Sequence, residues 1–363
     1  MIDISKILKR AWHILWNYRI LWVFGFLLAV TAGGGGGGSN SGYRFGANET
    51  GNYRWENPPD FITKAEQWLQ QNVEPLFATE QRAIETAIWI GVGILVFALI
   101  VGALTALVRY PTETAVIRMV DEYEKTGTKV GFREGWKLGW NRSAFRLWLI
   151  DLLLGLPVVL FLAIIVAAGV GLYFSYEKTP GPSIAGIVAL IGLGVLFVTL
   201  FILVMILLGL LGNFFKRAAV LEGSGVFESF RKGWHMFKAN WKSAMVMWLV
   251  MLGIGIAAAI AGIILFLLLI PVLIVTIVAG VLVAAIPGLL VYLLFTLFAP
   301  QWVAILAGIL AGLPLFGIIG FAPISVLSGW VKVFESTIWT LTYREFKAFE
   351  NLKPAASIEA KAS

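Results

Sequence analysis

The chain has 363 residues, 59% hydrophobic and only 13% charged, with a mean hydropathy of +0.85. Soluble domains carry about 25% charged residues, so the solvent for most of this chain is lipid. The net charge of +7 therefore reads as charge bias between loops and contact with anionic lipid rather than nucleic-acid binding, and the lack of cysteine excludes disulfides and thiolate chemistry.

At the N-terminus, Ile4, Ile7, Leu8, Ala11, Trp12 and Leu15 form a stripe at helical spacing, with Lys6, Lys9, Arg10 and His13 largely off it. The apolar run from Ile20 to Ala32 is shorter than the ~20 residues of a full span. The pattern predicts a span that begins inside the preceding helix near Ile14, with Arg19 snorkelling or facing protein. A basic start, an apolar run and Val30-Thr31-Ala32 also resemble a signal peptide. Against cleavage, Trp12, Trp16 and Asn17 match a pattern that recurs downstream.

Gly33 to Gly38 lacks the Gly-Lys-Ser/Thr ending of a phosphate loop and reads as a flexible linker. Gly42 to Pro59 is polar and aromatic, and Asp60 to Gln71 reads as a short amphipathic helix capped by Asp60. Asn48-Glu49-Thr50 fits a glycosylation sequon, without meaning in a bacterial cell. Ile88 to Val108 is a second span. The basic residues from Arg109 to Arg146 fill the next loop, where Glu113, Asp121, Glu122 and Glu124 with Arg118 read as a solvated, salt-bridged helix face. Arg146 to Tyr176 carries a third span with Asp151 near its start, where pairing with Arg142 or Arg146 is the simplest reading. Pro180-Gly181-Pro182 makes a turn, Ile184 to Leu211 is the fourth span, and Lys216 and Arg217 begin another basic loop.

Val226 to Val250 opens as a basic helix and ends as a span. Phe227, Phe230, Trp234, Phe237 and Trp241 fall on one helical face, with Arg231, Lys232, Lys238 and Lys242 off it. From Ser243 to Trp330 the chain has no charged residue. Lys332, Arg344, Lys347, Lys353 and Lys361 assign the tail to the cytoplasm, so this block crosses an even number of times. Two crossings with Pro271–Pro300 as a re-entrant or packed apolar insertion is the favoured reading, and four is the alternative. Val333 to Asn351 continues as a helix, and Pro354 to Ser363 reads as a disordered tail.

Three stretches share a pattern: Ala11-Trp12-His13 with Trp16-Asn17, Gly135-Trp136-Lys137 with Trp140-Asn141, and Gly233-Trp234-His235 with Asn240-Trp241. Each supplies a small residue for close helix approach, a tryptophan for the half-wet interface and a basic residue that can reach water. The expected fold is all-α and polytopic, with three repeated units of an interfacial amphipathic helix plus a transmembrane hairpin. That makes about six spans, or eight with four crossings in the last block. The segments are 1–32 (interfacial helix and first span), 33–82 (extracytoplasmic), 83–128 (second span and cytoplasmic helix), 129–225 (second hairpin), 226–335 (third hairpin with the apolar insertion) and 336–363 (cytoplasmic helix and tail).

The motif Phe230-Arg231-Lys232-Gly233-Trp234 with Asn240-Trp241, and its partner over Phe132–Trp140, resembles a group of bacterial multi-pass proteins that includes the membrane domain found beside some glycerophosphoryl diester phosphodiesterases. The resemblance implies an integral membrane protein and carries over no catalytic residue, because the phosphodiesterase's soluble domain has no counterpart here.

No Ser-His-Asp grouping, zinc motif, nucleotide loop or pair of catalytic carboxylates can be assembled, so neither an enzyme nor a cofactor or metal is expected. His13 and His235 occupy positions filled by Lys137 in the middle copy, which fits a basic interfacial contact better than a metal ligand. The candidate lipid contacts are Trp12, His13, Trp16, Arg19, Trp136, Lys137, Trp140, Arg146, Trp234, His235, Lys238 and Trp241. Asp151 and Gln301 are the candidate intramembrane polar residues. The expected partners are anionic lipid headgroups at the cytoplasmic face and an unidentified membrane protein. The expected role is a non-enzymatic component of the cell membrane with both termini cytoplasmic. The alternative is a transporter or lipid translocator with a cavity between the hairpins.

Overall fold

The computed structural model describes residues 3–31, 67, 79–176, 184–297 and 299–362. The glycine run, the sequon, the amphipathic segment Asp60–Gln71 apart from Gln67, and the Pro180 turn lie outside them. Every regular element among the described residues is a helix. In chain order they are α1 (Ile4–Asn17), α2 (Ile20–Thr31), α3 (Glu80–Thr126), α4 (Phe132–Gly139), α5 (Arg142–Tyr176), α6 (Ile184–Leu221), α7 (Val226–Ala239), α8 (Trp241–Phe295), α9 (Gln301–Gly320) and α10 (Ala322–Ala362). The stretches Thr86–Thr126, Arg142–Val170, Gly192–Leu221, Trp241–Phe295 and Gln301–Gly320 are long and apolar enough to cross a membrane, and α1 with α2 makes a sixth if that bent pair counts as one span. Side chains along these runs, such as Leu99, Val159, Leu196 and Leu268, are exposed. Bare apolar helices of this length need hydrocarbon around them, so the protein is a polytopic membrane protein.

Two short helices end where an asparagine competes for the backbone ladder, and a third where a tyrosine is pinned by a distant segment. Asn141 donates its amide to the Leu138 carbonyl at 2.7 Å, and its side-chain oxygen accepts the Ser143 N–H at 2.7 Å, so α4 stops and α5 starts on one residue. Asn240 donates to the Met236 carbonyl at 3.2 Å between α7 and α8. The expected continuous helix over Val226–Val250 is thus broken. The expected span from Ile14 is corrected in the same way, since α1 and α2 meet at 97°. Tyr18 leaves the helical region there, with φ −110 and ψ 67. Its buried hydroxyl donates to the Val130 carbonyl at 2.8 Å and accepts the Val130 N–H at 2.6 Å.

The described helices divide into two compact units, one of Met1–Ser39, Val108–Ile260 and Ser328–Ser363, the other of Asn40–Leu107 and Ala261–Leu327. The first holds the main core. Ile14, Leu21 and Phe24 meet Ile117 and Met119 of α3, Leu147 and Ile150 of α5, Phe214 of α6, Met247 of α8, and Ile338 and Phe346 of α10 there. The loop and solvated face expected after Val108 are therefore corrected. Helix α3 runs unbroken through Pro111 to Thr126, and Ala115, Val116, Ile117, Met119 and Val120 are fully buried. Lys216 and Arg217 likewise lie within α6, not in a loop. The cause is tertiary: α10, expected only as a cytoplasmic extension, packs into this core and covers those faces. It continues past Pro354 to Ala362, where a disordered tail is expected from the sequence. Gly25 and Gly329 allow α2 and α10 to touch, since a Cβ on Gly25 would stand 2.6 Å from the Gly329 oxygen.

In the second unit, α8 and α9 pair antiparallel. Gly280 opposes Gly320, Ala284 opposes Gly312, and Gly288 opposes Gly308. A Cβ on Gly308 would lie 2.7 Å from the Gly288 oxygen, so only small residues let these backbones approach. This corrects the expected insertion at Pro271–Pro300. The chain stays helical through Pro271 and Pro287 and reverses only at Thr296–Pro300. Breaking a helix in hydrocarbon leaves several backbone groups unpaired, whereas a proline inside it frees only one carbonyl.

Candidate functional site: exposed tryptophans and a buried ion cluster

The three short helices α1, α4 and α7 share a geometry. Their small residues face the core: Ala11, Gly135 and Gly233 are buried. A Cβ on Gly233 would come within 2.5 Å of Phe215 Cδ1 and 3.1 Å of the Phe215 nitrogen. Beside Ala11 and Gly233 a tryptophan turns outward, and at α4 the outward one is Trp140, at the end of the helix. Trp12, Trp16, Trp140, Trp234 and Trp241 are exposed, as are His13, Arg19, Lys137, His235 and Lys238. Trp136 is half-buried, stacked on Phe132 at 6.4 Å and Trp140 at 6.0 Å. Trp16 touches Trp12, Trp22 and Trp330 at ring separations of 5.6, 5.4 and 5.7 Å.

Two refinements apply to the sequence reading. The aromatic stripe on α7 straddles a boundary: Phe227 and Trp234 are exposed while Phe237 is buried and Phe230 packs on Phe215 at 4.5 Å. The buried face, marked by Ser229, Gly233 and Met236, is offset from the stripe by roughly a quarter turn. Arg146 is half-buried and donates through one guanidinium nitrogen to the Gly223 carbonyl and, at 3.1 Å, to the Ser224 carbonyl, tying α5 to the segment before α7.

Asp151 pairs neither with Arg142, which is exposed, nor with Arg146, which bonds the Gly223 and Ser224 carbonyls instead. Its partners come from other helices: Lys216 of α6 at 2.9 Å and Arg109 of α3 at 3.6 Å. Lys216 also reaches Glu113 at 3.0 Å, so one ammonium bridges two carboxylates. Arg217, buried beside it, donates to the Asn213 carbonyl and side-chain oxygen, each at 3.0 Å, and to the Ser336 carbonyl at 3.3 Å. Lys332 and Glu335 of α10 lie within electrostatic reach of this group. Sequence reasoning missed the cluster because its members are far apart in the chain. The available signal was that Arg109, Asp151, Lys216 and Lys332 each border an apolar run.

A second ion group ties α10 to the core outside the spans. Glu222 accepts from the Tyr343 hydroxyl at 2.7 Å, Lys347 at 3.0 Å and Lys232 at 3.1 Å. Burial opposes its negative charge, but these donors outweigh burial and hold the carboxyl below its ordinary value. Burial, then the bond to Glu222, pushes the Tyr343 hydroxyl up. Arg344 pairs with Asp121, which also takes Lys125 at 2.5 Å, and Arg10 reaches Glu124 at 2.6 Å. These pairs occupy carboxylates expected to be solvated.

An open depression of about 510 Å³ beside α4 is lined by Gly131, Phe132, Arg133, Glu134 and Lys137. Gln301, the other candidate polar residue, is exposed in the first turn of α9. Among the described residues, no three His, Asp or Glu side chains are grouped to hold a metal ion. Fold and site together define a polytopic helical membrane protein that gathers ionisable residues where its apolar helices end. The chain belongs to a family of unknown function (DUF7544), whose model matches residues 3–336. Searches of the curated proteins and of the solved structures found no match.

Proposed function

We propose that this protein is a non-enzymatic component of a bacterial cell membrane that packs with anionic lipid through α1, α4 and α7, both termini being cytoplasmic. The observation that carries the reading is the shared geometry of those helices. Each buries its small residue and shows a cation to the surroundings, with an exposed tryptophan on α1 and α7 and, for α4, at its C-terminal end. An amphipathic aromatic ring and a snorkelling cation are what a headgroup layer selects. The same geometry supports a threefold internal repeat. The likeness to the membrane domain beside some glycerophosphoryl diester phosphodiesterases belongs to this proposal too.

The test is lipid selectivity. The protein is reconstituted with spin-labelled phosphatidylglycerol or phosphatidylcholine, and the motionally restricted fraction of each is compared. The anionic lipid is expected to be enriched, and a Lys137→Gln/Lys238→Gln variant to reduce that enrichment. Equal fractions in the unsubstituted protein would remove the proposal. A second reading, a transporter or lipid translocator, draws on the Arg109–Glu113–Asp151–Lys216 cluster, because ionisable groups at membrane level often mark a transport path. It expects Asp151→Asn to abolish lipid scrambling or solute flux in proteoliposomes.

A further inference from the structure

The ion cluster has an unbalanced side. Arg109 is the first ionisable residue after the run that starts at Ile88, Asp151 the last before the run to Tyr176, Lys216 the first after Ile184–Phe215, and Lys332 the first after Ser243–Trp330. Four helices change from apolar to charged in one place, and the level at which spans become charged is where lipid phosphates sit. The four cations Arg109, Lys216, Arg217 and Lys332 face three carboxylates, Glu113, Asp151 and Glu335.

The surplus is visible as donors without acceptors. Lys216 occupies both Glu113 and Asp151, so Arg109 reaches Asp151 only at 3.6 Å, beyond hydrogen-bond length. Lys332 is half-buried and makes no hydrogen bond or ion pair among the described residues. Arg217 is 4% exposed, yet its Nε has no acceptor among the described residues. Ser336 stands one turn from Lys332 on α10; its carbonyl accepts from Arg217, while its buried hydroxyl has no partner among the described residues. Buried donors of this kind cost free energy until an acceptor with several oxygens arrives.

We propose that Arg109, Arg217, Lys332 and Ser336 form a binding site for one phosphate group, carried by a lipid headgroup or free in solution. The site rests on the membrane reading but not on the exposed tryptophans, and it uses none of the surface cations on α4 and α7.

Native mass spectrometry of the full chain released from detergent tests it, in one arm with phosphatidylglycerol and in the other with inorganic phosphate. One retained phosphate-bearing molecule per chain is expected, and the arm that shows it names the source. Lys332→Gln is expected to lower occupancy roughly tenfold without lowering the melting temperature, because Lys332 holds nothing in place. Arg109→Gln/Lys332→Gln is expected to abolish retention, and Lys137→Gln/Lys238→Gln to leave it unchanged. No retention in either arm overturns the site, as does equal retention by Lys332→Gln. The surface reading fails independently, by the absence of spin-label selectivity, whatever the mass spectrum shows.

Discussion

A single methyl group separates tolerated from costly positions in this protein. At Gly139 a Cβ would stand 2.1 Å from the Pro111 oxygen, which is backbone and cannot yield. At Gly233 it meets a ring carbon and backbone of Phe215, whereas at Gly135 the nearest atom is the movable Met119 sulfur at 2.6 Å. Alanine is therefore expected to destabilise in the order 139, 233, 135, by about 1–3 kcal/mol at the middle site. Gly91→Ala, with nothing within 4 Å, is expected to be neutral or slightly stabilising. Thermal unfolding in detergent ranks all four. Glu222 adds a pH dependence. Its folded-state value is depressed, so its contribution is complete above the unfolded value and disappears as pH falls through the folded one. The gap in melting temperature between the protein and Glu222→Gln is expected to hold at neutral pH and close below about pH 4. A constant gap down to pH 3 would contradict that role.

Between α8 and α9, affinity comes from small residues spaced by four on α8 and, Phe316 apart, on α9. Gly280, Ala284 and Gly288 meet Gly308, Gly312 and Gly320 at van der Waals range. Lipid supplies no hydrophobic drive to bring helices together, so close packing must do it. Gly308→Leu is expected to separate the pair and lower the melting temperature by several degrees. Gly317→Leu, on an open face of the same helix, is the control. Similar losses from both would show that the helix itself, not its contact, was damaged. The asparagine stops are a second element-scale device. Each spends a side-chain amide on a carbonyl three or four residues back, and a span begins in a new direction.

For the molecule as a whole, the proposal fixes one side of the membrane for α1, α4 and α7. The chain has no cysteine, so single cysteines can be introduced without background. Cysteines at Lys9, Arg133 and Arg231 are expected to react with a membrane-impermeant maleimide only after inside-out vesicles are made. If any of the three reacts from the opposite side, the hairpin scheme and the cytoplasmic termini fail together. This test does not depend on the phosphate site, which could survive a revised topology.

The lipid-borne character, the all-helical class and the places where charge stops were legible from residue order alone. Hydropathy is a local sum, and a charge-free run such as Ser243–Trp330 has no other solvent available. The small residue beside each tryptophan was legible as well, though its burial was not. Only the tertiary structure decided that Glu113 and Asp151 are claimed by Lys216 and Asp121 by Arg344, residues between 65 and 223 places away. It alone decided that α10 folds into the core and that α1 turns at Tyr18, which is anchored 112 residues on. A charge's nearest neighbours in sequence predict its partner only when nothing else comes closer. Here converging helix ends bring distant charges together at the margin of the apolar layer, where burying an unpaired ion is most costly.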